Sequence, residues 1–510
     1  MELYDLFYKW VPVYIKLPVL FILILGILVC NGIFLGNTTD IYSDLGVYTE
    51  PYTQAYNAMY IGMGLGLIAH VRLKLRFSNK QLLLTGLLMM LLMNIICATT
   101  SNTILTITAC LVLGFVKIWA LVEVYVIWLL VWSKKFDTSR LYPFIYFTAL
   151  GGLYFMTWLT TQLTYTYNWR YSYIVVFILL LFCILLVLVF AENHPLKRKF
   201  PFYQIDYIGL ILLGSSMMML DYATVNGKVE DWGASNNIIA AFWGAGITFL
   251  LFLRRELILK RPFFDFSIFG KATFRSGLLY FIFLGVVLPG TFQSTFTAGI
   301  LHYEAIRNSE LNLYLVPGIF AGCVLCFFWY YKGFDAEILI LAGFLCFVIY
   351  HIMMYNSFAN DFNINDFWLP LIIKGFGTAL LYVAVGLYTT RNLNLTVVLS
   401  AAGAMIVVRS FIGGGIISAL YGYFLYDQRI KHLDYLAGKL DANNYLANVN
   451  GAANLYRTMQ QQATLAASKQ LTGYVIIAGI LISLIVLTKY LFKKLNSRAN
   501  ARAESYHRLP

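Results

Sequence analysis

The chain has 510 residues, of which 60% are hydrophobic and only 12% charged, and its mean hydropathy is +0.72. An ordinary soluble domain carries about 25% charged residues, so composition excludes a water-soluble fold of this length. The net charge of +13 does not point to nucleic acid, because the basic residues sit in short loops beside apolar ends, as in Arg72-Leu-Lys-Leu-Arg76 and Lys197-Arg-Lys199; such residues anchor topology and contact anionic lipid, which makes the bilayer the partner.

Read with a window near 19 residues, the sequence predicts fourteen apolar spans, centred near residues 27, 62, 90, 117, 153, 181, 213, 246, 288, 320, 346, 379, 410 and 481. Runs of about 20 residues without alternating polarity are helices, since a backbone in hydrocarbon must satisfy its own N–H and C=O groups. The first run, Leu17 to Gly36, is too long for a signal-peptide core and lacks a small-residue cleavage site, so it is expected to remain as the first span. An even number of spans puts both termini on one side. Of the 37 Lys and Arg residues, 26 fall on that side and 8 on the other, which predicts cytoplasmic termini in a multi-pass protein of the cytoplasmic (inner) membrane. The seven cysteines all lie inside apolar runs, so a disulfide framework is not implied, and Cys323-x-x-Cys326, set among apolar neighbours, reads as packing rather than as a metal or redox site.

Charges within spans are costly and face a cavity or a partner. If the fourth span enters near Thr103, Lys117 lies about 21 Å deep at 1.5 Å per residue, close to the middle of a roughly 30 Å core. Two readings fit it equally: a substrate or coupling contact in a central cavity, or a structural ion pair between helices. Glu123 lies about 120 degrees round the same helix and cannot pair with it along one face; it sits nearer the cytoplasmic end, where snorkelling competes with a coupling role. Arg409, in the thirteenth span, is about 20 Å from its cytoplasmic start, and Gly413-Gly-Gly415 beside it lets another helix approach. Lys374, a few residues inside the outer end of its span, reads as a snorkelling anchor, and Asp40 as a solvated loop carboxylate. Pro289-Gly290 and Pro317-Gly318 interrupt spans of the second half, as simple kinks or as breaks that free carbonyls for a cavity or hinge.

The connection from Arg254 to Arg275 is the longest on the cytoplasmic side, and Pro262-Phe-Phe-Asp-Phe-Ser-Ile-Phe269 within it is amphipathic and expected to lie along the membrane surface. It separates eight spans from six. The expected layout is an N-terminal six-helix bundle (1-191), a cytoplasmic linker and two extra helices (192-253), the amphipathic linker (254-275), a C-terminal six-helix bundle (276-492) with a long external loop (427-470), and a polar cytoplasmic tail (493-510). No H-x-x-H pair, G-x-S-x-G elbow, Walker loop or paired-carboxylate motif is present, which argues against a membrane-embedded enzyme, a cofactor, a bound metal or a primary pump. A channel is the other competing class.

Asp206-Tyr-Ile-Gly-Leu-Ile-Leu-Leu213, Gly227-Lys-Val-Glu-Asp-Trp-Gly233, Arg261-Pro-Phe-Phe-Asp-Phe-Ser-Ile-Phe269, the stretch from Ala401 to Gly415 and Met459-Gln-Gln-Gln-Ala463 follow one another in order. In these motifs the chain resembles the fourteen-helix drug:proton antiporter branch of the major facilitator superfamily, the EmrB-type exporters. The resemblance implies an all-α membrane fold of two six-helix bundles plus two extra helices, rocking between inward-open and outward-open states. It implies export of a small amphiphilic drug-like compound or metabolite coupled to the proton gradient, with a facilitator-type uniporter as the alternative. It also implies a cytoplasmic gating loop at Arg72, Lys74 and Arg76, and through the long external loop a periplasmic adaptor and outer-membrane channel as partners. The first half departs from the family pattern: Cys30 stands where the first span has Asp, Cys110 where the fourth has Arg, and Ala149-Leu-Gly-Gly152 lacks the fifth-span proline. Coupling to protons would therefore need another titratable group, Glu123 first, with Lys117 and Arg409 expected in the cavity.

Overall fold

The computed structural model of the chain describes residues 6–132, 138–194, 206–259, 262–359, 363–391, 393, 395–440 and 452–506, and every described element is helical apart from one isolated bridge between Phe7 and Ala191. In chain order the α-helices are α1 (Val13–Val29), α2 (Thr38–Leu45), α3 (Glu50–Lys74), α4 (Asn79–Thr99), α5 (Thr103–Trp132), α6 (Thr138–Thr166), α7 (Arg170–Phe190), α8 (Tyr207–Asn226) and α9 (Asn236–Ile258). They continue as α10 (Ala272–Val287), α11 (Thr291–Gly299), α12 (Ala305–Leu313), α13 (Leu315–Tyr331), α14 (Ala336–Ser357), α15 (Trp368–Thr390), α16 (Leu395–Ile406), a π-helical segment (Val407–Ile417), α17 (Ser418–Ala437) and α18 (Ala452–Tyr506).

Ten of the described helical stretches are long and apolar enough to cross a membrane, and α1 and α10 are shorter apolar helices. α3 and α6 are long enough, at 25 and 29 residues, but less apolar. The reason is positional: Tyr56, Asn57 and Tyr60 on α3 and Tyr154, Thr157 and Thr161 on α6 face an internal cavity rather than lipid.

Close backbone approach organises each half. On α3, a Cβ at Gly62 would lie 2.1 Å from the Leu111 carbonyl oxygen of α5, and one at Gly114 of α5 would lie 1.9 Å from the Met59 carbonyl oxygen. In the second half, a Cβ at Gly318 of α13 would lie 2.0 Å from the Ile372 carbonyl oxygen of α15, and one at Gly375 of α15 would lie 2.2 Å from that of Leu315. Gly66 and Gly322, each four residues on, repeat the contact against Phe115 and Phe376. Small residues at this spacing allow helices in a membrane to pack backbone to backbone. α3 with α5, and α13 with α15, thus meet by the same device.

Between these two sets of contacts in the chain come α8 and α9. Ser216 of α8 donates to the Ala245 carbonyl of α9 at 2.9 Å, while Trp243, Leu250 and Leu257 of α9 are 65 to 75% exposed, an apolar surface suited to lipid. The loop joining the pair explains one of the sequence motifs: Asp231 and Trp232 adopt positive φ, the Trp232 N–H donates to the Gly227 carbonyl at 2.7 Å, and the indole covers Gly227 so closely that a Cβ would lie 2.7 Å from it. Only glycine fits beneath that ring.

One reading of the linkers changes. Lys197-Arg-Lys199 and Arg261 lie outside the described residues. Phe263, Phe264 and Ile268 do not lie along a membrane surface; they are 3, 6 and 1% exposed in the protein core, because the Phe264 N–H is held at 3.0 Å by Glu256 and Asp265 caps the short helix that follows. All seven cysteines are free, six of them buried.

α16, the π segment and α17 run without a break, and with α18 they exceed what a membrane needs. At 1.5 Å per residue, the 41 residues of Val397–Ala437 span about 60 Å against a hydrocarbon core of about 30 Å. Both helices therefore project beyond the bundle on the side away from the chain termini.

Candidate functional site

A cavity of about 590 Å³ lies between α3 and α6 on one side and α11, α15 and the π segment on the other. Its rim residues Gly36, Thr39, Ala305 and Asn308 place its mouth at the end of the bundle away from the termini. At the opposite end the halves touch. Trp132 of α5 stacks on Phe327 of α13 at 6.3 Å, Arg140 lies over Tyr331 at 5.7 Å, and the Tyr142 and Thr390 hydroxyls are 3.2 Å apart. Arg72, at the end of α3, donates to the Pro262 carbonyl, and Lys74 bonds Glu123 and Asn79. Arg76 lies over Phe77. The molecule is open on one side and closed on the other.

Arg409 lines the cavity. The π segment that carries it has one extra residue per turn, a distortion common at functional sites, and it packs through Gly413 against Gly285 of α10, where a Cβ would lie 2.6 Å from the Gly413 Cα. Its guanidinium lies 4.7 Å from the ring centre of Tyr382 and 5.4 Å from that of Tyr146, and donates to the Tyr146 hydroxyl at 3.1 Å. Tyrosine faces attract a cation without neutralising it. Arg409 forms no ion pair among the described residues.

Lys374 is the second cation of the cavity, and it departs from its reading as a snorkelling anchor. It is 6% exposed, its ammonium is 4.8 Å above the Tyr350 ring and 3.4 Å from the Tyr350 hydroxyl, which in turn donates to Gln293 at 2.9 Å. It sits beside the break at Pro289 and Gly290, both of which line the cavity. The carbonyls released at that break are taken by side chains: Val286 accepts from Tyr421 at 2.9 Å, and Val287 lies 2.8 Å from His351 Nε2. Pro317 and Gly318 act differently, as the start of α13 and its close contact with α15.

Lys117 and Glu123 lie elsewhere. The Lys117 ammonium donates to the carbonyls of Leu28 at 2.9 Å and Cys30 at 3.0 Å and to Asn31 Oδ1 at 2.6 Å. Its three donors close the C-terminal end of α1, where helix carbonyls lack partners and the dipole favours a cation. Glu123 is bound by Lys74 and lies 3.3 Å from His70 Nε2, at the closed end. A buried carboxylate that the sequence reading passed over is Asp221 on α8, 1% exposed, which accepts from the Asn57 amide at 2.7 Å. A lone Asp five residues from the end of an apolar run was the available signal.

The arrangement of helices is shared with solved transporters. The structure matches the POT family transporter PepTSo with a TM-score of 0.58 over 94% of this chain and 98% of that one, at 13% identity. It matches the human organic anion transporter MFSD10 with a TM-score of 0.53 over 92% of this chain and 99% of that one, at 10% identity. The fold is the one these transporters share. In sequence, the chain is similar to the multidrug export protein EmrB of Haemophilus influenzae, 24% identical over 296 residues, and to the fatty acid resistance protein FarB of Neisseria gonorrhoeae, 26% identical over 224 residues. The matches span 54% and 41% of those relatives and of this chain. No protein-family model matches the chain. Arg409 and Lys374 both line the cavity between α3 and α6 on one side and α11, α15 and the π segment on the other.

Proposed function

We propose that this chain is a secondary transporter of the cytoplasmic membrane that exports an amphiphilic organic anion by alternating access, drawing on the proton gradient. One observation carries the substrate class: two cations, Arg409 and Lys374, meet one cavity and neither has a carboxylate partner among the described residues. A charge-assisted hydrogen bond contributes about 1.5–3 kcal/mol, and the tyrosine rings around both cations suit an apolar body attached to the anionic group. The roles that name the two relatives, multidrug export and fatty acid resistance, agree with such a molecule.

The layout we propose keeps two six-helix bundles, residues 1–191 and 276–492, with α8 and α9 outside them; the repeated glycine contacts and the exposed face of α9 support it. Both termini are placed in the cytoplasm, with the cavity open outward. The projecting ends of α17 and α18 would then reach into the periplasm, and we assign to them the docking of an adaptor protein that leads to an outer-membrane channel. Residues 441–451, which join α17 to α18 in the chain and include Asn448, lie outside the described residues.

Proteoliposomes carrying the full chain test the proposal with dansylundecanoate, a fluorescent amphiphilic carboxylate, against ethidium, a planar cation. The carboxylate should move and ethidium should not. Movement of ethidium alone would refute the anionic class.

A further inference from the structure

Asp221 stands apart from the groups used so far. Its helix, α8, lies outside the cavity wall, yet its side chain reaches inward to α3 and accepts from Asn57 Nδ2 at 2.7 Å through Oδ1. The second carboxylate oxygen, Oδ2, is buried without a hydrogen-bond partner. Asn57 itself lines the cavity. On its other side is Gly415 of the π segment, where a Cβ would lie 3.2 Å from the Asn57 amide, so one amide touches the cavity, the segment that carries Arg409, and the carboxylate.

We propose that Asp221 is the proton-binding site of the transport cycle, coupled to the cavity through Asn57; this rests on the transporter reading above. The other ionisable groups around α8 are engaged elsewhere, beginning with the neighbouring Tyr222, whose hydroxyl donates to Glu230 at 2.5 Å. From α3, Tyr56 and Tyr60 bond each other at 3.0 Å. From the π segment, Arg409 is turned to Tyr146 and Tyr382. From α17, Tyr421 bonds Val286. α9 carries Arg254, Arg255 and Glu256 at its far end, about 20 Å along the bundle from Asp221 at 1.5 Å per residue. Glu123, with Lys74 and His70 on its oxygens, is already neutralised by partners and faces the closed end.

The chemistry is a simple protonation. A proton from the water of the open cavity binds one oxygen of the Asp221 carboxylate, and no other bond is made or broken. While ionised, the buried carboxylate requires the Asn57 N–H, because an unpaired buried charge is strongly unfavourable. That requirement holds α3 against α8 in the outward-open arrangement. Once protonated, the carboxyl is neutral and the requirement lapses. α3 also carries Arg72, whose side chain donates to Pro262 at the closed end, so release at Asn57 acts on the same rigid element that seals the opposite side. Proton entry from outside would thus permit the return to the inward-open state after substrate has left, which is the order an exporter needs.

Two measurements on the full chain test this. In nanodiscs, infrared difference spectra across a pH titration should show a carboxylic-acid band that is lost in Asp221→Asn, and Asn57→Ala, lacking the donor that favours the ionised form, should displace its midpoint by about tenfold in proton concentration, the effect of about 1.4 kcal/mol. In proteoliposomes, the ratio of dansylundecanoate transport with and without an imposed pH gradient should fall to about one in Asp221→Asn, whatever the absolute rate. A titrating band that survives in Asp221→Asn, an unmoved midpoint in Asn57→Ala, or an unchanged ratio would each overturn the assignment. The spectroscopic measurement needs no transported probe. A wild-type chain that moved no dansylundecanoate would therefore count against the proposed function, while the titration would still decide the role of Asp221.

Discussion

The ammonium of Lys117 donates to the carbonyl oxygen of Leu28 at 2.9 Å, and so a lysine in the middle of one membrane helix closes the end of another. α1 stops at Val29 with an extended Cys30 as its cap residue, and the carbonyls left over would otherwise face protein without a donor. Lys117→Met is predicted to lower stability by about 3 kcal/mol, the cost of two buried carbonyls without partners, and to reduce the unfolding temperature in detergent. Unchanged stability together with lost anion binding would place Lys117 in the substrate site instead.

Arg409 should dominate recognition. Arg409→Gln removes a charge-assisted contact and is predicted to weaken dansylundecanoate binding at least tenfold, the equivalent of about 1.5 kcal/mol or more. Arg409→Lys keeps the charge but loses the planar group that lies against Tyr382 and Tyr146, so it should recover only part of the affinity. Lys374→Met is expected to act in the same direction. Fluorescence titration of the three variants reads this out, and wild-type affinity in both Arg409→Gln and Lys374→Met would remove the anion site.

Gly386 offers a way to move the equilibrium between open states. A Cβ there would lie 2.9 Å from the Tyr142 ring and 3.1 Å from the Tyr146 hydroxyl, at the closed end where the halves meet. Gly386→Leu should wedge that contact apart and disfavour the outward-open arrangement. Labelling of Thr157→Cys in the cavity by a membrane-impermeant maleimide should then fall several-fold. Equal labelling with and without Gly386→Leu would mean that the contact does not gate the cavity.

Asp206 predicts a pH dependence. Burial alone would push its carboxyl up, but hydrogen bonds from Arg255, at 2.9 and 3.0 Å to Oδ1, and from the Gly209 N–H at 3.1 Å outweigh burial and hold it below the usual range. A depressed folded value contributes stability above the unfolded value of about 3.9 and loses it as pH falls through the lower folded value. Asp206→Asn should therefore be less stable than the wild type at pH 7, and the difference should shrink below about pH 4. A difference independent of pH would show that the cap, not the charge, matters.

The helical spans were legible because hydrocarbon forces long apolar runs; a cation as deep in a span as Arg409 has few uses, and its position is on the cavity wall. Direction was harder to read. Depth along a helix located Lys117 near the midplane but did not say that it turns toward the end of α1. Lys374 lies one to two turns inside α15, near enough to the outer end for snorkelling, but there the neighbour is the outward-facing cavity and Tyr350 rather than lipid headgroups. Asp221 escaped notice because its helix was expected outside the bundles, and only the fold brings Asn57 against it. The amphipathic linker was mistaken for a surface helix because an apolar face does not reveal whether protein or lipid covers it.

The matched glycines of α3–α5 and α13–α15 bear on descent. Each set of close contacts is completed inside one half, so the junction between the halves is a place where sequence can be added without prising apart either set. α8 and α9 occupy that junction. An insertion at that place leaves both sets intact, and the two parts, expressed as separate polypeptides divided in the connection between α9 and α10, should still find each other in the membrane.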